Sequence, residues 1–346
     1  MDISLLPATS TTASAVAAAA AAAVLTTAST TTMTVGSSNS IVINSTIPTI
    51  IIGSDIYGNS VEMPLVGAGT WQYNDTIAYE SICKAFHAGY TFVDTAYGYK
   101  NQRGVGQAIH DCWNGTRDEL FVMTKIPGGL TPAEVVAYHH ENLFQLGLEY
   151  VDHLMTHFPS DWDEMYASKE YRQKEWLALE EIYNTGQART IGISHYCKQH
   201  IYDILEVATI LPSINQVEYH VGSQDIDHVI QLCNELGITF MSFSPLCGPC
   251  QYNKEDSLID GTLVTEIASH YNNNNGNNKD NNVITGSQVA LRYIVQQGIP
   301  VIPKSNTMSH LLSNRDIFSF HLSDDDMKTL QDATKPPAEA GDCDVP

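Results

Sequence analysis

Four residues whose side chains can hold or move a proton lie at, or just after, predicted strands in the first half of the chain. Asp94 ends one apolar run, and Tyr99 follows it in the next loop. Lys125 and His157 end two further apolar runs. Because the C-terminal ends of parallel strands meet at one edge of a closed sheet, we expect these four side chains to converge.

A carboxylate, a phenol, an amine and an imidazole together suit proton transfer by the phenol. A free tyrosine has a pKa near 10, and we expect the Lys125 ammonium to lower that of Tyr99. Asp94 would hold the ammonium in place. His157 could orient a carbonyl oxygen so that Tyr99 protonates it as hydride reaches the carbon. The same strand ends show no metal-ligand spacing and no activated Ser or Cys nucleophile, so we predict no metal site.

Apolar segments alternate with amphipathic helical patterns along the chain and would supply the strands that position these residues. The predicted strands are residues 65–70, 90–95, 120–125, 150–157, 188–194, 213–219, 238–244 and 300–303. The predicted helices are residues 79–88, 133–146, 175–184, 225–236 and 287–297. Near-continuous apolar strands indicate a parallel sheet buried on both faces, and closing it gives a (β/α)8 TIM barrel. A doubly wound sheet, the alternative, normally has a longer Gly-rich turn after its first strand than Gly67-Ala-Gly69.

A single barrel domain is predicted between two terminal segments. Residues 1–46 are rich in Ser, Thr and Ala, and the absence of Lys and Arg favours a disordered leader over a cleaved targeting peptide. Residues 47–335 form the barrel and begin with apolar pieces predicted to be a β-hairpin that caps its bottom. We expect the Asn-rich insertion at 272–282 to be disordered, and residues 336–346 to be a tail.

Charge and cysteine content restrict the partners and the compartment. The chain has 17 Lys and Arg against 39 Asp and Glu, a net charge of −22, which argues against a nucleic-acid partner. Its apolar leader segment is shorter than the roughly 20 residues that span a bilayer. Seven scattered cysteines predict reduced thiols, and Cys247-Gly-Pro-Cys250 lacks the helical context of a redox motif. We therefore predict a cytoplasmic monomer with a small-molecule partner, and we place His139 and His140 on its surface.

Motifs spread over residues 48–335 resemble those of the aldo-keto reductase superfamily. They are GAGTW (67–71), DTAYGY (94–99), GVGQAI (104–109), MTK (123–125), LGLEYVD (146–152), HFP (157–159), IGIS (191–194), NQVE (215–218), SPL (244–246) and IPKS (302–305). The resemblance implies a (β/α)8 barrel that binds NADPH without a Rossmann motif. Asp94, Tyr99, Lys125 and His157 take the positions of the family's catalytic tetrad, and Trp71 that of an aromatic wall of the substrate pocket.

The resemblance also implies a cofactor site. Ser194 and Gln216 would hold the nicotinamide carboxamide, with His195 in place of the usual Asn and donating to the same oxygen. The remaining cofactor residues would be Gly69, Thr70, Phe243 on the nicotinamide ring, Ser244 and Leu246 over the pyrophosphate, Lys304 and Ser305 on the 2′-phosphate, His310, and Asn314 on the adenine.

His310 stands where the family commonly has an Arg that contacts the 2′-phosphate. Its loss would remove a charge-assisted contact, so we expect NADH to be used as well as NADPH.

The function implied is that of an NADP-dependent oxidoreductase of the aldehyde reductase or alcohol dehydrogenase type, which reduces aldehydes or ketones to alcohols. The alternative is a cofactor-sensing regulatory subunit that has the same barrel and little turnover.

Overall fold

The computed structural model describes residues 46–161, 168–248, 253–274 and 283–338. Residues 1–45 of the predicted leader, residues 339–346 of the tail and residues 275–282 of the Asn-rich insertion lie outside the described residues. In the part that is described, no helix combines the length and the apolar character needed to cross a bilayer.

An antiparallel hairpin comes first, formed by β1 (Thr49–Ser54) and β2 (Ser60–Pro64). A parallel sheet follows, with its strands hydrogen-bonded in chain order. Within the described ranges these strands are β3 (Ala68–Gly69), β4 (Phe92–Asp94), β5 (Phe121–Ile126), β6 (Val151–Thr156), β7 (Ala188–Ser194), β8 (Ile214–Glu218) and β9 (Thr239–Phe243).

The predicted eighth strand is reduced to bridges at Val301, which pairs with Val66 on one side and Ser242 on the other. Val301 N donates to Leu65 O at 2.9 Å, and Ser242 N donates to Pro300 O at 2.9 Å. The prolines at both ends of the segment have no N–H group, which limits the ladder to this short contact. These bonds close the sheet, so the prediction of a (β/α)8 barrel is confirmed.

The hairpin packs into the barrel, as expected of the cap predicted from the sequence. Its buried side chains form one apolar cluster with residues of the barrel strands. The cluster contains Ile52, Val61, Met63, Phe92, Phe121, Met123, Met155, Ile214, Met241 and Ile302.

Helices connect the strands and continue to the end of the barrel. In the described residues they are α1 (Asp75–His87), α2 (Gln102–Cys112), α3 (Pro132–Leu146), α4 (Lys169–Thr185), α5 (Lys198–Leu205), α6 (Val229–Leu236), α7 (Thr262–Asn274), α8 (Gly286–Gln296), α9 (Met308–Arg315) and α10 (Asp324–Gln331). A helix is expected after the loop of Tyr99 and is α2, but its glycines lower its helix propensity and its bounds could not be predicted from the sequence. Gly104 is needed there, because a Cβ would lie 2.0 Å from Asp75 O.

Three expectations from the sequence are wrong. His139 is buried in α3 rather than exposed. Asn272 belongs to α7, and its side chain bonds Ile284 N at 2.9 Å and Ile284 O at 3.0 Å, so it joins the two ends of the insertion. Cys83 and Cys112 form a disulfide between α1 and α2 instead of reduced thiols. Cys197 and Cys247 are also disulfide-bonded, whereas Cys233 is a buried free thiol.

Candidate active site

The four predicted site residues meet at the C-terminal edge of the barrel. Asp94 ends β4, Lys125 lies near the end of β5, and His157 directly follows β6. Lys125 Nζ is 2.6 Å from Asp94 Oδ2 and 3.4 Å from Tyr99 Oη. The Tyr99 and His157 rings meet edge to face, with centroids 5.4 Å apart. The phenol therefore lies between the ammonium and the imidazole.

The charges around Tyr99 differ from the expectation. Burial and the nearby Asp94 carboxylate raise the pKa of Tyr99 well above its ordinary value. Burial lowers the pKa of Lys125, while the contact with Asp94 raises it. The prediction that Lys125 makes the free phenol more acidic is thus wrong, because burial disfavours the phenolate and Asp94 offsets the ammonium charge. Tyr99 is a neutral O–H donor at pH 7.

Aromatic rings line the side of the site next to His157. His157 stacks on Phe158 with ring centroids 4.6 Å apart, and Phe158 lies 4.3 Å from His195. The His195 ring in turn lies 4.7 Å from that of Phe243. Burial lowers the pKa of both histidines, that of His195 to about 4, so both are neutral at pH 7.

The hydrogen bonds of His195 assign its tautomer. Its Nδ1 lies 3.0 Å from the His157 carbonyl oxygen, which can only accept, so Nδ1 carries the proton. The proton expected to bind a carboxamide oxygen is therefore already used. The other ring nitrogen, Nε2, carries no proton and can only accept a hydrogen bond from the cofactor. His195 also has φ 63°, a left-handed conformation that is uncommon outside glycine.

Gln216 and Ser194 lie beside the same group of residues. Gln216 Nε2 donates to Asp94 Oδ2 at 3.1 Å, and Ser194 Oγ donates to the Gln216 carbonyl at 2.8 Å. Both residues are buried. Gln216 thus contacts the carboxylate that holds Lys125, which motif matching did not indicate.

The other predicted cofactor residues lie on the segments that follow β3, β9 and Val301. Gly69 ends β3 with no room for a Cβ, which would lie 2.8 Å from Ile302 O, and Thr70 Oγ1 donates to Asp94 O at 2.9 Å. Lys304 Nζ donates to Gln72 Oε1 at 3.0 Å and lies 5.9 Å from the Trp71 ring centroid. Ser244, with φ 47°, and Leu246 share the loop after β9. Ser305 Oγ accepts from Thr307 N. His310 is exposed, and Asn314 is buried on α9.

Sequence reasoning missed Asn101, which ties together the two loops that follow β3 and β4. Its Nδ2 donates to Thr70 O at 2.8 Å and Tyr73 O at 2.9 Å, and its Oδ1 accepts from Thr95 Oγ1 at 3.2 Å. Asn101 is fully buried. An Asn shortly after the candidate phenol was its only signal, and Asn is common in loops for local reasons.

With this geometry in view, comparison with known proteins identifies the family. The model of the aldo/keto reductase family matches residues 65–335. The chain belongs to this family of oxidoreductases.

Relatives match over nearly their whole length. Glyoxal reductase of Bacillus subtilis is 32% identical over 84% of this chain and 95% of its own. The NAD(P)H-dependent D-xylose reductase I,II of Candida tropicalis is 29% identical over 82% of this chain and 92% of its own. The crystal structure of an aldo-keto reductase from a Medee basin deep-sea metagenome library superposes with a TM-score of 0.71 at 29% identity, covering 82% of this chain and 96% of that one.

Proposed function

We propose that this protein is an NAD(P)H-dependent reductase of aldehydes or ketones in which Tyr99 is the general acid. The observation that supports this most directly is the contact of 3.4 Å between Tyr99 Oη and Lys125 Nζ, next to the ion pair of Lys125 with Asp94. A neutral phenol beside a fixed ammonium can give up its proton and leave a stabilised phenolate.

Each of the four residues then has a distinct task. Tyr99 donates its proton to the carbonyl oxygen, and Lys125 stabilises the phenolate that remains. Asp94 holds the ammonium in place. His157 is neutral and can hydrogen-bond the carbonyl oxygen, which orients the substrate toward Tyr99.

The cofactor, NADPH or NADH, would supply the hydride. Ser194, Gln216, Phe243 and the free Nε2 of His195 would hold the nicotinamide end. Gly69, Thr70, Ser244 and Leu246 would line the remainder, with Asn314 at the adenine.

Lys304 fits an anionic group at the other end of the cofactor. Among the described residues no carboxylate pairs with its ammonium, although the chain has 39 acidic residues. Partial burial lowers the pKa of Lys304, so an incoming phosphate would stabilise its charged form. Ser305 and His310 would complete the 2′-phosphate contact, without the guanidinium that favours NADPH strongly.

We propose small aldehydes as substrates, since relatives are named for the reduction of glyoxal and D-xylose. Trp71, 42% exposed at the mouth, would form one wall of the pocket. An assay of NADPH oxidation with methylglyoxal and with benzaldehyde tests this proposal directly.

The decisive variant is Tyr99→Phe, which removes the proton and keeps the ring. We expect kcat to fall by about 10²–10⁴, the usual contribution of general acid catalysis, while NADPH still quenches tryptophan fluorescence. Equal, slow turnover in the wild-type protein and the variant would instead favour the cofactor-sensing subunit. An absence of NADPH and NADH binding would contradict both functions.

We also propose the domain limits, the monomeric state and the cytoplasmic location predicted from the sequence, although one finding opposes the location. The Cys83–Cys112 disulfide favours an oxidising compartment, since cytosolic thiols are normally kept reduced. Alkylation of the protein directly on cell lysis, followed by mass spectrometry of these two cysteines, tests the location. Sedimentation measures the oligomeric state.

A further inference from the structure

Two buried side chains of α4 are directed at the loops that follow β5 and β6. Glu175 and Arg172 are 2% and 3% exposed. Glu175 Oε2 accepts from Leu130 N at 3.0 Å, in the loop between β5 and α3. Arg172 Nη1 donates to Pro159 O at 3.4 Å, in the loop after β6. One helix therefore holds the two loops that flank Lys125 and His157.

These two loops touch each other through their backbones. A Cβ on Gly128 would lie 2.2 Å from Phe158 O and 2.4 Å from Ser160 O. The Phe158 ring stacks on His157, with centroids 4.6 Å apart. An unbroken series of contacts thus runs from Glu175 through Leu130, Gly128 and Phe158 to the His157 ring.

The carboxyl group of Glu175 is poorly suited to a purely structural role. Burial raises its pKa to about 7, against the lowering influence of the Thr156 hydroxyl, the Leu130 and Gly129 N–H groups and Arg172. Within the described residues, its second oxygen, Oε1, has no hydrogen-bond partner. Burying a carboxyl group with an unsatisfied oxygen is unfavourable, and an apolar side chain would generally pack here at lower free energy. The presence of a carboxyl group at this position therefore indicates a role other than stabilising the fold.

We propose that Glu175 is a positioning residue for the carbonyl substrate: by fixing Leu130 it presses the loop of residues 127–131 against Phe158 and so sets the orientation of His157. The residue touches neither the substrate nor the cofactor and acts through these contacts. The proposal rests on the function proposed above, because it assigns the oriented imidazole to the substrate oxygen.

Glu180 of the same helix provides a matched control. It is also buried, at 6% exposed. Its Oε1 accepts from Thr209 N at 2.6 Å and Ile210 N at 2.7 Å, in the loop that precedes β8. That loop lies at the N-terminal end of the strands, away from the four site residues. Truncating Glu180 removes a comparable set of buried hydrogen bonds without changing the C-terminal end of the barrel, where the four site residues lie.

The experiment compares Glu175→Ala, Glu175→Gln and Glu180→Ala in NADPH-dependent reduction of methylglyoxal. We expect Glu175→Ala to raise the KM for the aldehyde about tenfold, the effect of losing the hydrogen bond between His157 and the carbonyl oxygen, and to leave the Kd for NADPH within about twofold. Glu175→Gln keeps an acceptor oxygen for Leu130 N and should restore most of the affinity. Glu180→Ala should lower the free energy of unfolding and leave the KM unchanged.

An unchanged aldehyde KM in Glu175→Ala, or an equal rise in Glu180→Ala, would overturn the proposal. Hydrogen exchange gives a readout that does not need turnover. The Leu130 amide should exchange at least about tenfold faster in Glu175→Ala than in the wild-type protein, and the exchange rate of the Ile210 amide should not change. If Glu175→Ala does not fold, the Leu130 amide should exchange detectably faster in Glu175→Gln. Equal Leu130 exchange would refute the anchoring. A wild-type protein that does not oxidise NADPH with any carbonyl refutes the proposed function instead, and the exchange rates still decide the role of Glu175.

Discussion

Tyr99 shows how distances decide a chemical role that residue types only suggest. The ammonium beside it is neutralised by a carboxylate 2.6 Å away, so the phenol keeps its proton in the free protein. The general acid that we propose needs the protonated form, which the free protein holds. In that proposal Lys125 would act later, once the phenolate has formed.

His310 gives a prediction at the level of one side chain. Replacing it by Arg should raise the preference for NADPH over NADH by at least about tenfold, since a guanidinium adds a charge-assisted contact to the 2′-phosphate. Fluorescence titration with each cofactor measures the change. His310→Ala is the control and should leave NADH affinity unaffected. If the Arg variant binds both cofactors as the wild-type protein does, His310 lies away from the phosphate.

Glu175 makes the stability of the fold depend on pH. Its pKa is raised from 4.5 to about 7 on folding, so the folded protein binds this proton more tightly than the unfolded chain. The resulting stabilisation is complete below pH 4.5 and is lost as the pH rises through 7, a change of roughly 3 kcal/mol.

Urea unfolding at pH 5 and pH 8 tests this dependence in the wild-type protein and in Glu175→Gln. The wild-type free energy of unfolding should fall relative to that of the variant by roughly 3 kcal/mol between these values. Parallel pH profiles would show that the buried carboxyl group is already ionised at pH 5.

At the scale of elements, the Cys83–Cys112 disulfide fastens α1 to α2, and Tyr99 lies in the segment between them. The two cysteines are 29 residues apart, so the cross-link should stabilise the fold by about 3–4 kcal/mol through the entropy of the unfolded chain. Cys83→Ala with Cys112→Ala should lower the free energy of unfolding by that amount. Reductant should destabilise the wild-type protein by at least this amount, and the double variant only through the remaining disulfides of Cys197 and Cys247. Identical stabilities would mean that the two thiols are reduced in solution.

The sequence predicted well those elements that have one clear hydrophobic pattern. Strands β4 to β9 were found from their apolar runs, and the polar residues at or after three of these runs are Asp94, Lys125 and His157. The strand at 300–303 was overestimated because its flanking prolines restrict pairing. The helix after Tyr99 was expected, but the bounds of α2 were not, because its glycines weaken the helical pattern, whereas Gly104 permits close contact with α1. Asn101 and Glu175 could not be assigned at all, since their roles depend on backbone groups brought near by folding.

At the scale of the whole molecule, the hairpin is held by its buried residues. Met63 is fully buried in the cluster at the bottom of the barrel, so Met63→Ala should lower the free energy of unfolding by about 2–5 kcal/mol. Ile51→Ala on the same hairpin is the control: Ile51 is 59% exposed, and its loss should change stability by less than about 0.5 kcal/mol. Thermal or denaturant unfolding measures both. Equal effects would show that the hairpin is not packed into the barrel.

The same hairpin determines how water reaches the phenol. Within the described residues, Ile52, Val61 and Met63 fill the floor of the barrel, so we expect water to reach Tyr99 from the opposite end. If Tyr99 is the general acid proposed above, the proton it gives up would be replaced across the rim through which the alcohol leaves, and reprotonation and product departure would share one route.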